Sequence, residues 1–427
     1  MANAATAAPA GKEGNEDKER NAVRVLFTRN FGPYFLGNLL SNCGTWFQSI
    51  ALSLLVYRLT ESTLLVGLVN FAQFAGVILL APWSGGAADR FDRRRLLIVT
   101  QLLAMTGAFA LAAFAAAGLT TVPLVIVMAF LMGFTTAFSS PAQQAIVPSL
   151  VRKDDLGAAV AMTSVTFNLS RVIGPTLGAL VVNTLGIAWA FAFNGLSYVA
   201  LIVALLIIHP AAQTKRAVGR ASLRESIGIV RRDKRLVLLL VVVGSVSFAL
   251  DPVTTLSPAY AQQVFRQPDT LVGFLLAAFG IGAVTAAVLA SGKTATPYRR
   301  IAVMLSLCSL GTVAFALVPV LPLAVIALLV TGFGYLAGHT RANALLQLSV
   351  PDEQRGRVMA LWSVCFLGGR PVASLLDGAI STVAGIHVAT ILMAIPTAIA
   401  AYAMLTLHRD GATVGVKDET EAAVGRA

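Results

Sequence analysis

Apolar residues in this chain arrive in blocks, separated by short segments that hold most of the charge. The blocks run at roughly 31–57, 63–85, 96–117, 122–143, 157–182 and 185–208. After a basic stretch, six more follow at about 236–258, 271–292, 300–318, 322–345, 357–383 and 386–407. A block of about 20 apolar residues spans a ~30 Å hydrocarbon layer as a helix rising 1.5 Å per residue. The pattern therefore predicts twelve membrane-spanning helices, called spans 1 to 12 below. Glycine and proline inside the blocks fit this reading, because neighbouring helices re-satisfy the backbone groups they disturb. The predicted division is an N-terminal tail (1–30), a six-helix bundle (31–208), a linker (209–235), a second bundle (236–407) and a C-terminal tail (408–427).

Composition sharpens the class. Of the 427 residues, 57% are hydrophobic and 12% are charged, about half the charged share of a soluble domain. Disorder, a disulfide scaffold and a water-soluble enzyme are excluded. The net charge of +12 does not point to nucleic acid, because the basic residues cluster at block ends instead of forming an aromatic-interleaved surface. Of the 32 Lys and Arg, 27 lie in the two tails, the linker and the other loops of that side. Only Arg58 and Arg266 lie in the opposite loops, and Arg171, Arg341 and Arg370 fall within spans. By the positive-inside rule both termini are expected in the cytoplasm. The N-terminal 30 residues have no apolar core of a signal peptide.

The chain repeats itself. Leu65-Val66-Gly67 recurs as Leu271-Val272-Gly273, and Arg93-Arg94 as Arg299-Arg300, each 206 residues on. Arg171 answers Arg370, and Gly157 to Ala161 answers Gly356 to Ala360, each 199 residues on. Offsets near half the chain, with equal topology in both halves, indicate two parallel six-helix repeats.

Between spans 2 and 3 runs Gly85-Gly86-Ala87-Ala88-Asp89-Arg90-Phe91-Asp92-Arg93-Arg94-Arg95. It resembles the loop signature of the major facilitator superfamily, with Asp92 where that pattern has its second glycine. A small residue such as Gly85 permits close helix packing, and Asp89 suits a helix N-terminus. The resemblance implies a cytoplasmic gate latch built from Gly85, Asp89, Arg90, Arg93 and Arg94. The plainer reading of the arginines is a positive-inside anchor. Span 5 carries Arg171-Val172-Ile173-Gly174-Pro175-Thr176-Leu177-Gly178-Ala179, similar to an element of the superfamily's exporters. Pro175 bends the helix, while Gly174 and Gly178 permit close packing. Residues 30–407 resemble the branch of the superfamily that contains the enterobactin exporter. That resemblance implies alternating access between two bundles, a monomer, and proton-coupled efflux of small, often amphipathic molecules. Import and uncoupled diffusion leave no local mark that would separate them from export, and a non-transporting membrane sensor is a third alternative.

Charges within the spans carry the candidate chemistry, since an ionisable group in hydrocarbon costs from ~2.5–3.5 kcal/mol upward. Asp251 lies about 15 residues into span 7, roughly 22 Å at helical rise. Burial disfavours the charged form of a carboxyl, which suits a proton carrier working near neutral pH. Two roles stay open for Asp251, proton carrier or half of a structural ion pair. Asp377, about 20 residues into span 11, is the second proton-coupling candidate, or a wetted residue near the far interface. Arg171 and Arg370 sit at equivalent depths in the repeats and are candidates for charge pairing or substrate contact; Arg341 and His339 are read as interfacial. Three spanning arginines against two aspartates suit a neutral or anionic substrate better than a cation.

Polar and aromatic residues of the helices that the resemblance places around a cavity give candidate lining positions. They are Asn38, Asn42, Trp46, Gln48, Asn70, Gln73, Phe134, Phe138, Gln143, Gln144 and Trp362. Gly292-Lys293-Thr294 is no phosphate loop, because Ala287 stands where that motif needs glycine and a membrane helix precedes it. Cys43, Cys308 and Cys365 and the four scattered histidines form no ligand spacing. No metal, cofactor or enzyme chemistry is expected. The expected partners are a small-molecule substrate, protons and the lipid bilayer.

Overall fold

The computed structural model describes residues 24–211, 223–290 and 298–409; the side chains of some helical residues, Gly85 and Asp89 among them, lie outside the described set. Among the described residues the secondary structure is helical, joined by short turns and loops, with no strand. The first half contains Phe31–Thr60, Thr63–Arg90, Arg93–Ala116, Val122–Ile146, Leu156–Thr184 and Ile187–Ile207, which are spans 1 to 6. The second half contains Lys234–Thr255, Thr270–Ala290, Tyr298–Leu317, Leu321–Leu348, Asp352–Ala384 and Ile386–Arg409, spans 7 to 12. A nine-residue helix, Leu223–Arg231, lies between the halves. Span 7 extends beyond Thr255 through a short helical turn into a π-helical turn, Tyr260–Val264.

Among the described residues, eleven of these helices are long and apolar enough to cross a membrane. Span 11 is not among them, although at 33 residues it is the longest. Its N-terminal turns are polar, and Arg370 and Asp377 sit within it. The twelve-span expectation and this count differ by span 11 alone.

The chain forms two compact units. One comprises residues 1–61 and 72–219, the other residues 62–71 and 220–427. Span 2 is therefore divided, its first residues packing with the second unit. The same packing plan recurs in both. Span 1 packs on spans 5 and 6 and span 3 on spans 4 and 6; span 7 packs on spans 11 and 12 and span 9 on spans 10 and 12. Turn geometry repeats as well. Gly186 (φ +95°) and Gly385 (φ +87°), 199 residues apart, join the last two spans of each repeat in a backbone region that only glycine occupies without strain.

Polarity is arranged for a lipid environment. Asn38, Gln48, Asn194, Asp251 and Asp377 are all buried, whereas Leu79, Val127, Leu196, Leu310 and Ile399 are exposed. A water-soluble fold does not leave so many large apolar side chains on its surface. Cysteines 43, 308 and 365 are all unpaired.

Candidate functional site

Asp251 is the best-organised ionisable group inside the spans. It sits in span 7 directly before Pro252, which interrupts the helical hydrogen-bond ladder. It is 1% exposed. Ser374 of span 11 donates its hydroxyl to Asp251 Oδ1 at 2.6 Å. Thr255, one helical turn on, donates to Oδ2 at 2.8 Å. Arg370 acts on the same carboxyl through its charge. Two hydroxyl donors and a nearby cation are what a carboxylate needs to tolerate burial. Small residues let spans 7 and 11 approach closely enough for this: Gly369 lies against Gly244 and Ser247, and Ser247 Oγ bonds the Phe366 carbonyl at 3.1 Å.

Asp377 lies one turn beyond Ser374. Its exposure is 0%, so the wetted-interface reading does not describe its surroundings in the folded chain. Neither carboxyl oxygen has a hydrogen-bond partner among the described residues. Its charge and that of Asp251 act on each other. Tyr260, in the π-helical turn, lies close enough to sense Asp377 and donates its hydroxyl to Thr390 Oγ1 at 2.9 Å.

The arginines in the spans separate. Arg370 joins the Asp251 group, whereas Arg171 sits in the first unit with its guanidinium 5.2 Å from the Trp46 ring and 5.6 Å from the Phe167 ring. Two aromatic faces thus support the cation there. Arg341 bonds the Ala337 carbonyl of its own helix. The glycines of the span 5 element do close packing. A Cβ on Gly174 would lie 2.6 Å from the Cys43 carbonyl oxygen, and one on Gly178 would lie 2.7 Å from that of Phe47. Pro175 is buried inside the same helix.

Around the loop motif, Asp92 N-caps span 3, accepting from the Arg95 backbone N–H at 2.8 Å. A side-chain cap there performs the helix-starting work at a position where the superfamily pattern has glycine. Arg93 donates to the Ala145 carbonyl at the end of span 4, and Arg94 to those of Leu205 and Leu206 at the end of span 6. Both arginines therefore satisfy helix C-termini within the first unit. Arg90 is exposed. The side chains of Gly85 and Asp89 are outside the described residues.

The lining candidates are distributed over both units. Asn42 donates to the Asn38 carbonyl and to its Oδ1. Gln73 accepts from Ser49. Phe134 and Phe138 lie 5.0 Å apart, centroid to centroid. Gln143 accepts Tyr34 on its backbone carbonyl, and Gln144 is exposed. Trp362 stacks on Phe366 and neighbours His339. Gln48 belongs to a buried network with Asn194, Tyr198 and Thr45. Sequence reasoning missed Asn194, Thr255 and Ser374. Thr255 was findable, being four residues from Asp251; Ser374 is 123 residues away and carries no local mark.

Two pseudo-equivalent helical units with intramembrane charges define a polytopic membrane transporter of the major facilitator fold. The family model described as transmembrane secretion effector matches residues 25–414, and the chain belongs to that family. It is 26% identical over 358 residues to the enterobactin exporter EntS of Shigella boydii serotype 4 (strain Sb227), covering 82% of this chain and 84% of that protein. It is 23% identical over 368 residues to the staphyloferrin A transporter of Staphylococcus aureus (strain NCTC 8325 / PS 47), covering 83% and 90% respectively. Its fold also matches a bacterial homolog of the human lysosomal transporter Spinster in an inward-facing, occupied conformation. That match has a TM-score of 0.73 at 13% identity and covers 90% of this chain and 97% of that one. The protein is a transporter, not an enzyme.

Proposed function

We propose that this chain is a secondary active exporter. It carries a small amphipathic organic molecule, of drug, siderophore or secondary-metabolite type, out of the cell by alternating access in exchange for protons. The observation that carries the reading is the buried Asp251 carboxyl, held by Ser374 and Thr255 beside Arg370. A carboxyl so placed has a charge state that matters to the protein and a set of partners that respond to it. Relatives named as an enterobactin exporter and a staphyloferrin A transporter favour an organic small-molecule cargo. Arg171 over Trp46 offers a cationic, aromatic position suited to a neutral or anionic ligand. Asp377 is a second coupling candidate, and Gly85, Asp89 and Arg90 form the cytoplasmic latch. The two bundles, 31–208 and 236–407, work as a monomer in the cytoplasmic membrane, with both termini and the 209–235 linker inside.

Uptake of fluorescent amphiphiles and catecholate compounds into energised inside-out vesicles tests this. Uptake that collapses with a protonophore, and again in Asp251→Asn, is the expected result. Uptake that survives both removes proton coupling and makes the protein a facilitator.

A further inference from the structure

The hydrogen bonds that hold Asp251 continue into span 2. Residues 62–71 pack within the second unit, while the remainder of the span belongs to the first. Their seam with span 11 is made at backbone distance. A Cβ on Gly67 would collide with the Ser374 carbonyl, and one on Gly378 would lie 2.7 Å from the Thr63 carbonyl oxygen. Ser381 Oγ bonds Thr63 Oγ1 at 2.7 Å. The seam and the carboxyl share residues. Ser374, whose carbonyl meets Gly67, gives its hydroxyl to Asp251. Asn70, one turn after Gly67, donates its amide N–H to Thr255 Oγ1 at 3.1 Å, and Thr255 donates to Asp251 Oδ2. Asn70, Thr255, Ser374 and Asp251 are 4%, 1%, 1% and 1% exposed.

A hydroxyl has one proton to give. While Asp251 is anionic, Thr255 commits that proton to Oδ2 and turns its lone pairs toward the Asn70 amide. Once the carboxyl takes a proton, its bonds with Thr255 and Ser374 lose the charge assistance that makes such bonds roughly twice as strong as neutral ones. A proton on Oδ2 also reverses the Thr255 bond, so that the carboxyl donates and the Thr255 proton has to find another acceptor; a proton on Oδ1 does the same at Ser374. The charges that act on Asp251 are those of Arg370 and Asp377 on span 11; residues 62–71 hold no ionisable side chain. His339 and Arg341 of span 10 and His387 of span 12 make contacts with Phe366, the Ala337 carbonyl and the Ala316 carbonyl respectively.

We propose that Asn70 and Thr255 are positioning residues for the coupling carboxyl: they hold the Ser62–Phe71 segment of span 2 on span 11 while Asp251 is charged, and release it when Asp251 takes a proton. This rests on the reading of Asp251 as the proton carrier.

The test is amide hydrogen exchange of the peptide covering residues 62–71, in the full chain in lipid nanodiscs, across pH 5.5–8 and corrected for intrinsic exchange. In the unmodified protein, opening should rise about tenfold on acidification, the scale of one or two net hydrogen bonds. Thr255→Val, which keeps the shape without the hydroxyl, should abolish the difference, and Thr255→Ser should restore it. Asn70→Ala should also abolish it, and it decides the matter if Thr255→Val does not fold. A pH response in Thr255→Val or Asn70→Ala equal to that of the unmodified chain, or no response in the unmodified chain, overturns the proposal. The vesicle experiment separates the two readings. Protonophore sensitivity lost in Asp251→Asn, with an unaltered exchange response in Thr255→Val, leaves proton coupling standing and sinks only the link to span 2.

Discussion

Asp251 and Arg171 solve the same problem, a formal charge inside an apolar span, with different partners. Asp251 takes two hydroxyls, so removing one leaves its buried carboxyl short of a donor. Ser374→Ala should therefore lower the unfolding free energy of the detergent-solubilised protein by about 1.5–3 kcal/mol, the range for a hydrogen bond to a charged group. Thermal unfolding followed by circular dichroism reads it directly. Arg171 instead rests on rings, and Arg171→Gln should cost about 0.5–2 kcal/mol. It should also change the Trp46 contribution to tryptophan emission, measured against Trp46→Phe in the same background. Both charges were legible in the sequence because each interrupts an apolar run. Their partners were legible only where they share the helix: Thr255 is four residues after Asp251, and Phe167 is four before Arg171. Ser374 and Trp46 reach the same groups from other helices, and nothing in a linear pattern marks a serine that will meet an aspartate 123 residues away.

Pairs of helices are set by where the backbone has room. Spans 1 and 5 meet at Gly174 and Gly178, with backbone carbonyls of span 1 occupying the space a side chain would take. Gly174→Ala must push span 5 off the Cys43 carbonyl, and overpacking of this kind costs about 1–3 kcal/mol. Gly157, exposed in the first turn of the same helix, has nothing within 4 Å of the place a Cβ would take. Gly157→Ala should accordingly be neutral or slightly stabilising, since alanine outranks glycine in helices by about 0.5–1 kcal/mol. Opposite signs from one substitution in one helix, read by thermal unfolding, would establish close packing as the function of the span 5 element; equal effects would reject it. The sequence motif already pointed to Gly174 and Gly178 as packing sites, but not to span 1 as the partner. The loop motif was less transparent. Its Gly85–Asp89–Arg90 spacing favoured a latch while Arg93 to Arg95 alone read as an anchor, and the geometry adds a third role for Arg93 and Arg94, which close the C-termini of spans 4 and 6.

At the scale of the whole chain, the internal repeat carried the fold. Offsets of 206 and 199 residues place equivalent helices in each half, and the two units pack their helices in the same order. The spans were legible because lipid demands long apolar helices. Span 11 is the least apolar, with polar N-terminal turns as well as Arg370 and Asp377 within it. The membership of residues 62–71 in the second unit was not legible, since it depends on contacts with span 11 and not on any change in composition. Orientation rests on charge alone: 27 of the 32 Lys and Arg lie on one side and two on the other. Translocating a loop rich in arginine is disfavoured, so loops holding Arg58, Leu119 and Arg266 should face outward, and the loop holding Arg152 should face the cytoplasm. Single cysteines at 119 and 266 should react with a membrane-impermeant maleimide in intact cells. Cysteines at 152, or in either tail, should react only after permeabilisation. The native cysteines are buried or partly buried, and the unmodified chain supplies the background. Labelling in the reverse order would invert the protein and turn the proposed exporter into an importer with the same helices. Labelling of both sets in intact cells would mean that the charge bias does not set the orientation.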